Sequence, residues 1–289
     1  EKYRISNSYY IPHHQTEVHQ KFSFRSVSPE YQARGSWHPD DVLIVPLNIK
    51  GVPAGYLSVD EPFDGNIPNL ETIHLLELFA NQAAISVENM SLYNELEKSY
   101  YDTLKAFVAA MDAKDPYTKG HSENVRHYAL KIARHIGLPE KIIRLIDYSA
   151  LLHDIGKLGI REEILSKPEV LSDSEYQEVK LHPVIGSRLV SEIDLLNQTE
   201  EIIYSHHEYY DGSGYPRGIK GQDIPLEARI IAVADAFEAM TSDRPYRKAF
   251  SFEVAMQRLV DAAGTQFDEQ VVKAFAELTQ REKPGKEDR

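Results

Sequence analysis

The chain has 289 residues, 42% of them hydrophobic, which is enough to bury the core of one large domain or two ordinary ones and rules out a disordered or fibrous protein. Its formal net charge of -13 repels polyanions and argues against a DNA or RNA polymer as partner. With no cysteine there is no disulfide frame, zinc ribbon or thiol nucleophile, so any bound metal must be held by His, Asp and Glu.

The chain begins at Glu1 with no basic-then-apolar leader, so a piece of a longer protein is expected. No apolar run approaches the ~20 residues that span a bilayer, and a cytoplasmic location is expected. In the first part, His13, His14, His19, His38 and His74 have no partners at metal-ligand spacing and read as surface or structural residues. The text from Asp41 to Asp60, "DVLIVPLNIKGVPAGYLSVD", reads as a hairpin with Lys50, Gly51 and Pro53 in its turn. After the loop "EPFDGNIPN", Leu70 to Asp112 carries a helical pattern free of proline and glycine. Within it Leu92, Leu96, Leu104, Phe107 and Met111 recur at helical steps on one face. A helix of this length exceeds the usual globular one, so it is expected to pair with a second copy as a parallel coiled coil; the alternative is a helix lying along its own domain.

Beyond "DAKDPYTKG" the pattern is helical, at roughly 121–136, 139–157, 173–192, 197–208, 225–242, 251–263 and from Asp268 onward, and residues 281–289 form a charged tail. Here the histidines sit at helix edges. His121 opens one helix, His153 and Asp154 come late in another, His182 precedes Pro183, His206 and His207 end a fourth, and Asp235 lies in a fifth. Tandem histidines can be solvated, cap a helix or bind metal, and a lone helical histidine is more often structural, as His127 and His135 are expected to be. "LLHDIGKLGI" is different: Leu151 and Leu152 turn His153 and Asp154 toward a core, where burying both costs several kcal/mol without a compensating cation. A carboxylate such as Asp154 can bridge two ions while imidazoles fill the outer positions, an all-N/O set suited to first-row divalent metals. Lys157 projects from the same helix face and could hold a phosphate or protonate a leaving oxygen.

"YTKGHSENV", "LLHDIGKLGI", "ILSKPEVLS" followed by His182-Pro183, "HHEYYDGSGYP" and "VADAFEAMTSDRPYR" resemble, in order, the motifs of the HD-GYP domain, a branch of the HD phosphohydrolase superfamily. The resemblance implies hydrolysis of cyclic di-GMP by a hydroxide activated between metal ions, iron or manganese. Carried over by position, the metal ligands are His121, His153, Asp154, His182, His206, His207 and Asp235. Lys157 would serve the departing ribose oxygen, and Arg244, with Arg247 a turn away, would grip phosphate, with Lys167 a weaker candidate. In the signature loop Gly212 and Gly214 allow close approach and positive φ, Tyr215 lies near a guanine, Asp211 fixes the turn, and Tyr209 and Tyr210 pack. Tyr117 stands where family members with a third metal carry glutamate, so two ions and linear pGpG as main product are expected, unless a carboxylate such as Glu123 substitutes.

"WHPDDVLIVPLNIKGVPAGYLSVDEP" and "LELFANQAAISVENMSLYNELEKS" resemble the later half of a GAF domain, which implies a small-molecule ligand or dimerisation. The expected class is therefore α+β overall: a partial, α/β GAF-like sensory domain at 1–90, a connecting and dimerising helix at 85–112, and a mainly α-helical HD-GYP domain at 113–280. Cyclase-domain proteins are further partners implied by the resemblance. Two other readings compete, a hydrolase of another nucleotide and a catalytically silent dinucleotide receptor or protein-interaction module. The intact "DGSGYP" loop disfavours the first, and the full set of seven ligand positions with Lys157 disfavours the second.

Overall fold

The computed structural model describes residues 3–15, 36–114, 120–167, 169–243 and 248–282. It divides into two compact units, Glu1–Tyr100 and Tyr101–Arg289, the division falling inside one long helix. No described helix is long and apolar enough to cross a membrane.

The first unit is a four-stranded antiparallel meander, β1 (Arg4–Ile5), β2 (Ser8–Ile11), β3 (Val42–Ile49) and β4 (Val52–Val59), with the helix α1 (Leu70–Lys114). The expected hairpin is β3–β4. Lys50 and Gly51 both have positive φ, the two-residue turn that matches strand twist, whereas Pro53 lies within β4, opposite a register shift at Leu47 and Asn48. One face of β3 is covered, its Leu43 and Val45 packing with Trp37, Ile73 and Ala80, while Ile44 and Pro46 on the other face are partly exposed. Glu77, buried on α1, accepts from Ser6 Oγ, Asn7 N–H and Ser8 Oγ at 2.7–2.9 Å and so pins the β1–β2 turn to the helix.

His13 and His38 are 25 residues apart in sequence, yet their rings stack at 3.8 Å beside Asp41, which accepts from Tyr10 Oη and from both histidine N–H groups. They are partners in the fold although no spacing rule joins them. Of the stripe on α1, Leu92, Leu96 and Phe107 are exposed and Leu104 is buried.

The second unit is helical: α2 (His121–Ile136), α3 (Glu140–Leu152), α4 (Glu162–Leu165), α5 (Asp173–Val179), α6 (His182–Ser191), α7 (Glu200–Ser205), α8 (Leu226–Thr241), α9 (Phe252–Asp261) and α10 (Glu269–Glu282). Val125, Ala129, Ile132 and Ala133 line one face of α2 and meet Ile146 of α3, Phe237 of α8 and Phe275 of α10 in a single core. Gly137 closes α2 with φ 80°, its N–H bonded to Arg134 O. The expected helix at 173–192 is two helices. Pro183, in the first turn of α6, has no N–H to continue α5, and Ser172 with Glu175 forms a capping box that starts α5 afresh. The expected helix at 139–157 ends at Leu152 and gives way to a 3₁₀ turn at Ile155–Gly159, where a Cβ on Gly156 would stand 1.9 Å from His182 O. That close approach brings α3 and α6 together and sets the spacing of the site.

Candidate metal centre

The seven residues singled out in the helical part converge. His121, His153 and Asp235 form one group of ligand atoms and His182, His206 and His207 another, each within 4.8 Å. Asp154 lies between them: its Oδ2 is 3.8 Å from His121 Nε2 and 3.5 Å from His153 Nε2, and its Oδ1 is 3.3 Å from His182 Nε2. One carboxylate thus presents an oxygen to each group and could serve cations held at either.

Helix ends aim the imidazoles. His153 and His206 follow the last turns of α3 and α7, and their Nδ1 atoms lie 2.8 Å from Ala150 O and 2.6 Å from Ile203 O; His182 Nδ1 is 2.8 Å from Val179 O. A carbonyl only accepts, so each Nδ1 carries a proton, and each ring turns its Nε2 inward. His182 and His206 then bring two Nε2 lone pairs to 3.2 Å, while His153 Nε2 is buried with no hydrogen-bond partner. Such a set is unfavourable without a cation. A proton is not the answer: burial, with Lys157 and His153 nearby, pushes His182 down to about 4 against the pull of Asp154. Burial and the neighbouring imidazoles hold His206 well below the usual value, and burial with His182 pushes His207 down to about 3. The donor chemistry fits divalent metal ions held through nitrogen and oxygen.

The other group is charged differently. Burial disfavours the charged form of His121, but hydrogen bonds to Asp235 (3.2 Å) and Glu238 raise it to about 10. Burial likewise opposes ionisation of Asp154, yet Lys157 and the surrounding imidazoles hold it well below the carboxylate range. Lys157 Nζ is 2.7 Å from Asp154 Oδ2, reached from the 3₁₀ turn and not from the face of α3. Glu238 was not anticipated. It is buried one turn after Asp235 on α8 and receives the Nδ1 proton of His121, the outer-shell carboxylate that orients a metal-binding histidine. Its i, i+3 spacing from Asp235 was the available signal.

The signature loop folds back on the histidines. Tyr215 N–H donates to His207 O (3.2 Å), and its ring stacks on His207 at 4.9 Å. Gly212 has φ 88°, as expected, but Gly214 does not have positive φ; it is needed because a Cβ would stand 2.2 Å from Tyr209 N. Asp211 accepts from Ser213 N–H and Oγ and fixes the turn. Buried Glu208, also unanticipated, holds the exit by accepting from the N–H groups of Arg217 and Gly218. A cavity of about 220 Å³ opens beside the histidines, lined by His207, Tyr215, Asp235, Gln266, Tyr176 and also Tyr209, which was expected only to pack. Lys167 is paired with Glu175, and Glu123 with Lys105 and Arg126. Tyr117, Arg244 and Arg247 lie outside the described residues.

The HD domain family matches residues 105–271. The cyclic di-GMP phosphodiesterase response regulator RpfG of Xanthomonas campestris pv. campestris is 40% identical over 198 residues, 67% of this chain and 52% of that protein. A cyclic di-GMP phosphodiesterase of Thermotoga maritima is 38% identical over 64% of this chain and 51% of its own length. The 3'3'-cGAMP-specific phosphodiesterase 3 of Vibrio cholerae is 35% identical over 65% of this chain and 41% of that protein. A crystal structure of a cyclic GMP-AMP specific phosphodiesterase from V. cholerae shares the fold, with TM-score 0.51 and 18% identity over 62% of this chain and 48% of that one. The chain spans about half the length of the first two of these curated relatives.

Proposed function

This chain belongs to the HD domain family, and from that premise we propose that it is a metal-dependent phosphodiesterase that opens cyclic di-GMP to linear pGpG. The observation that carries the reading is Asp154, with one oxygen toward each of two histidine groups, beside the unprotonated inward nitrogens of His182 and His206. The ligands are His121, His153, Asp154, His182, His206, His207 and Asp235, and the metals iron or manganese. With Tyr117 where a third ion would need a carboxylate, two ions are held and pGpG goes on to GMP slowly or not at all. Bound divalent ions supply Lewis-acid charge for the scissile phosphate and hydroxide at neutral pH.

The chain's own groups do the rest. His207 and Tyr215 wall the cavity that receives the dinucleotide, with Gly214 letting the loop close on them. As the water oxygen bonds to phosphorus and the bond to the ribose O3' breaks, Lys157, steadied by Asp154, gives its proton to that O3'. Arg244 and Arg247 take the phosphate oxygens. The first unit acts as a GAF-like regulator that senses a small molecule, and α1 joins two copies in a cytoplasmic homodimer; cyclase-domain proteins are candidate partners.

The test is to purify the chain anaerobically, count metal per protomer, and follow cyclic di-GMP and 3'3'-cGAMP by chromatography, beside Asp154→Ala. Two ions and pGpG, both lost in the variant, are expected. Metal and tight dinucleotide binding without turnover would overturn the enzyme reading, and faster cleavage of 3'3'-cGAMP would overturn the substrate.

A further inference from the structure

Lys180 caps the end of α5, two residues before His182 opens α6. Its Nζ lies 4.8 Å from the centre of the Tyr176 ring, one turn back, and 5.1 Å from that of Tyr215. The ring of Tyr215 also stacks on that of His207. His207, Tyr215, Lys180 and Tyr176 therefore form one stack that runs outward from the metal centre, and Tyr176, Tyr215 and His207 also line the cavity.

The charge of Lys180 is not needed by the fold. The neighbouring cations are committed: Lys157 to Asp154 at 2.7 Å, Lys167 to Glu175 at 2.7 Å and Arg161 to Glu178 at 2.8 Å. Among the described residues no carboxylate pairs with Lys180, which is half-buried and held only by ring faces. Ring faces attract a cation but leave its N–H donors unused. In a chain of net charge -13, an uncompensated ammonium at the rim of a metal site is a place for an anion.

A cyclic dinucleotide carries two phosphates in one ring. When one faces Asp154 and the histidines, the other is left several ångströms away and still needs a counter-charge. We propose that Lys180 grips this second phosphate, the one not under attack, and so distinguishes cyclic dinucleotides from diesters with a single phosphate. The proposal rests on the phosphodiesterase reading above. Tyr176 and Tyr215 act as positioning residues that hold the ammonium next to the cavity.

The experiment compares the metal-loaded wild type with Lys180→Gln and Lys180→Arg. It measures Kd for cyclic di-GMP, and kcat and KM for cyclic di-GMP and for bis(p-nitrophenyl) phosphate, which has one phosphate and no base. The expected result for Lys180→Gln is a rise of about tenfold in Kd and KM for cyclic di-GMP, kcat changed by less than about threefold, and KM for the single diester unchanged, with Lys180→Arg restoring most of the affinity. An unchanged Kd for cyclic di-GMP in Lys180→Gln, or equal losses on both substrates, would overturn the assignment of Lys180 and leave the phosphodiesterase standing. Wild type that binds cyclic di-GMP without cleaving it would overturn the phosphodiesterase instead, the Kd comparison still deciding Lys180. Wild type that neither binds nor cleaves it would overturn both.

Discussion

Replacing Glu238 by Gln is expected to weaken metal binding at the His121 group about tenfold without unfolding the chain. One carboxylate oxygen of Glu238 takes the Nδ1 proton of His121, and the other accepts from Asn124 Nδ2 (3.3 Å) and Ser242 Oγ (2.8 Å). Glutamine keeps the volume and can keep an oxygen on Nδ1, so the loss is the negative charge that makes the imidazole a stronger donor. Outer-shell partners of this kind typically contribute 10–100-fold in affinity, about 1.4–2.7 kcal/mol. Loss of charge alone belongs at the lower end. Glu238→Ala also leaves a buried Nδ1–H without an acceptor and belongs at the upper end. The assay is manganese titration against a chromophoric chelator for wild type and both variants, with thermal melting by circular dichroism as control. Wild-type affinity for both ions in both variants would refute the reasoning, and so would weaker binding explained by a collapse in Tm.

Three further outcomes follow from the same geometry. In the metal-free protein His121, raised to about 10, contributes stability that is complete below about pH 6.5 and lost as pH rises through 10; metal must displace its Nε2 proton. Uptake at that group should therefore release a proton at pH 7, with affinity rising about tenfold per pH unit, while the already neutral His182 group releases none; uptake without proton release in a weakly buffered titration would contradict this. His182 and His207, lowered to about 4 and about 3, contribute the opposite way: stability is lost as pH falls below 6.5, by about 1.4 kcal/mol per pH unit for each ring, so the Tm of metal-free protein should drop steeply from pH 6.5 to 5, and a flat profile would argue against their burial. Gly156→Ala, whose Cβ would meet His182 O at 1.9 Å, should cost at least about 2 kcal/mol and reduce metal content, and wild-type Tm with full metal would show that α6 is not set by this contact.

Most helices could be read from the sequence because their burial is periodic: α2 follows from Val125, Ala129, Ile132 and Ala133 alone. What could not be read was local geometry that depends on a distant contact. Nothing in "LLHDIGKLGI" marks the change to a 3₁₀ turn after Leu152; its cause is the backbone of His182 against Gly156, contributed from 26 residues away. The pairing of His13, His38 and Asp41 was invisible for the same reason, since strand pairing and a long connection join them and spacing does not. Lys180 was passed over because a lysine on a short helix is ordinarily solvated, and only the tertiary position of Tyr215 distinguishes it.

The seven centre residues were legible for a different reason. Capping a helix and holding a metal are not alternatives for a histidine at a helix edge: in His153, His182 and His206 one nitrogen meets a carbonyl and the other is left for a ligand. Nδ1 satisfies a carbonyl three residues earlier, which fixes the tautomer and the ring plane and leaves Nε2 as a donor facing the interior. Helix boundaries are therefore where a centre of this kind must place its imidazoles, and boundaries are what proline, glycine and polar runs reveal in a sequence. Asp235, in the middle of α8, lacks that signal and follows from the motif around it; Glu238 had no such boundary signal, because it meets His121 only where α8 crosses α2 with both carboxylates on one face. A helix that carries Asp and Glu at i and i+3 toward a core already filled with Ile231, Ala234 and Phe237 gives up hydrophobic burial at two positions, a cost that the imidazole of His121, with Asn124 and Ser242 on Glu238, helps to offset.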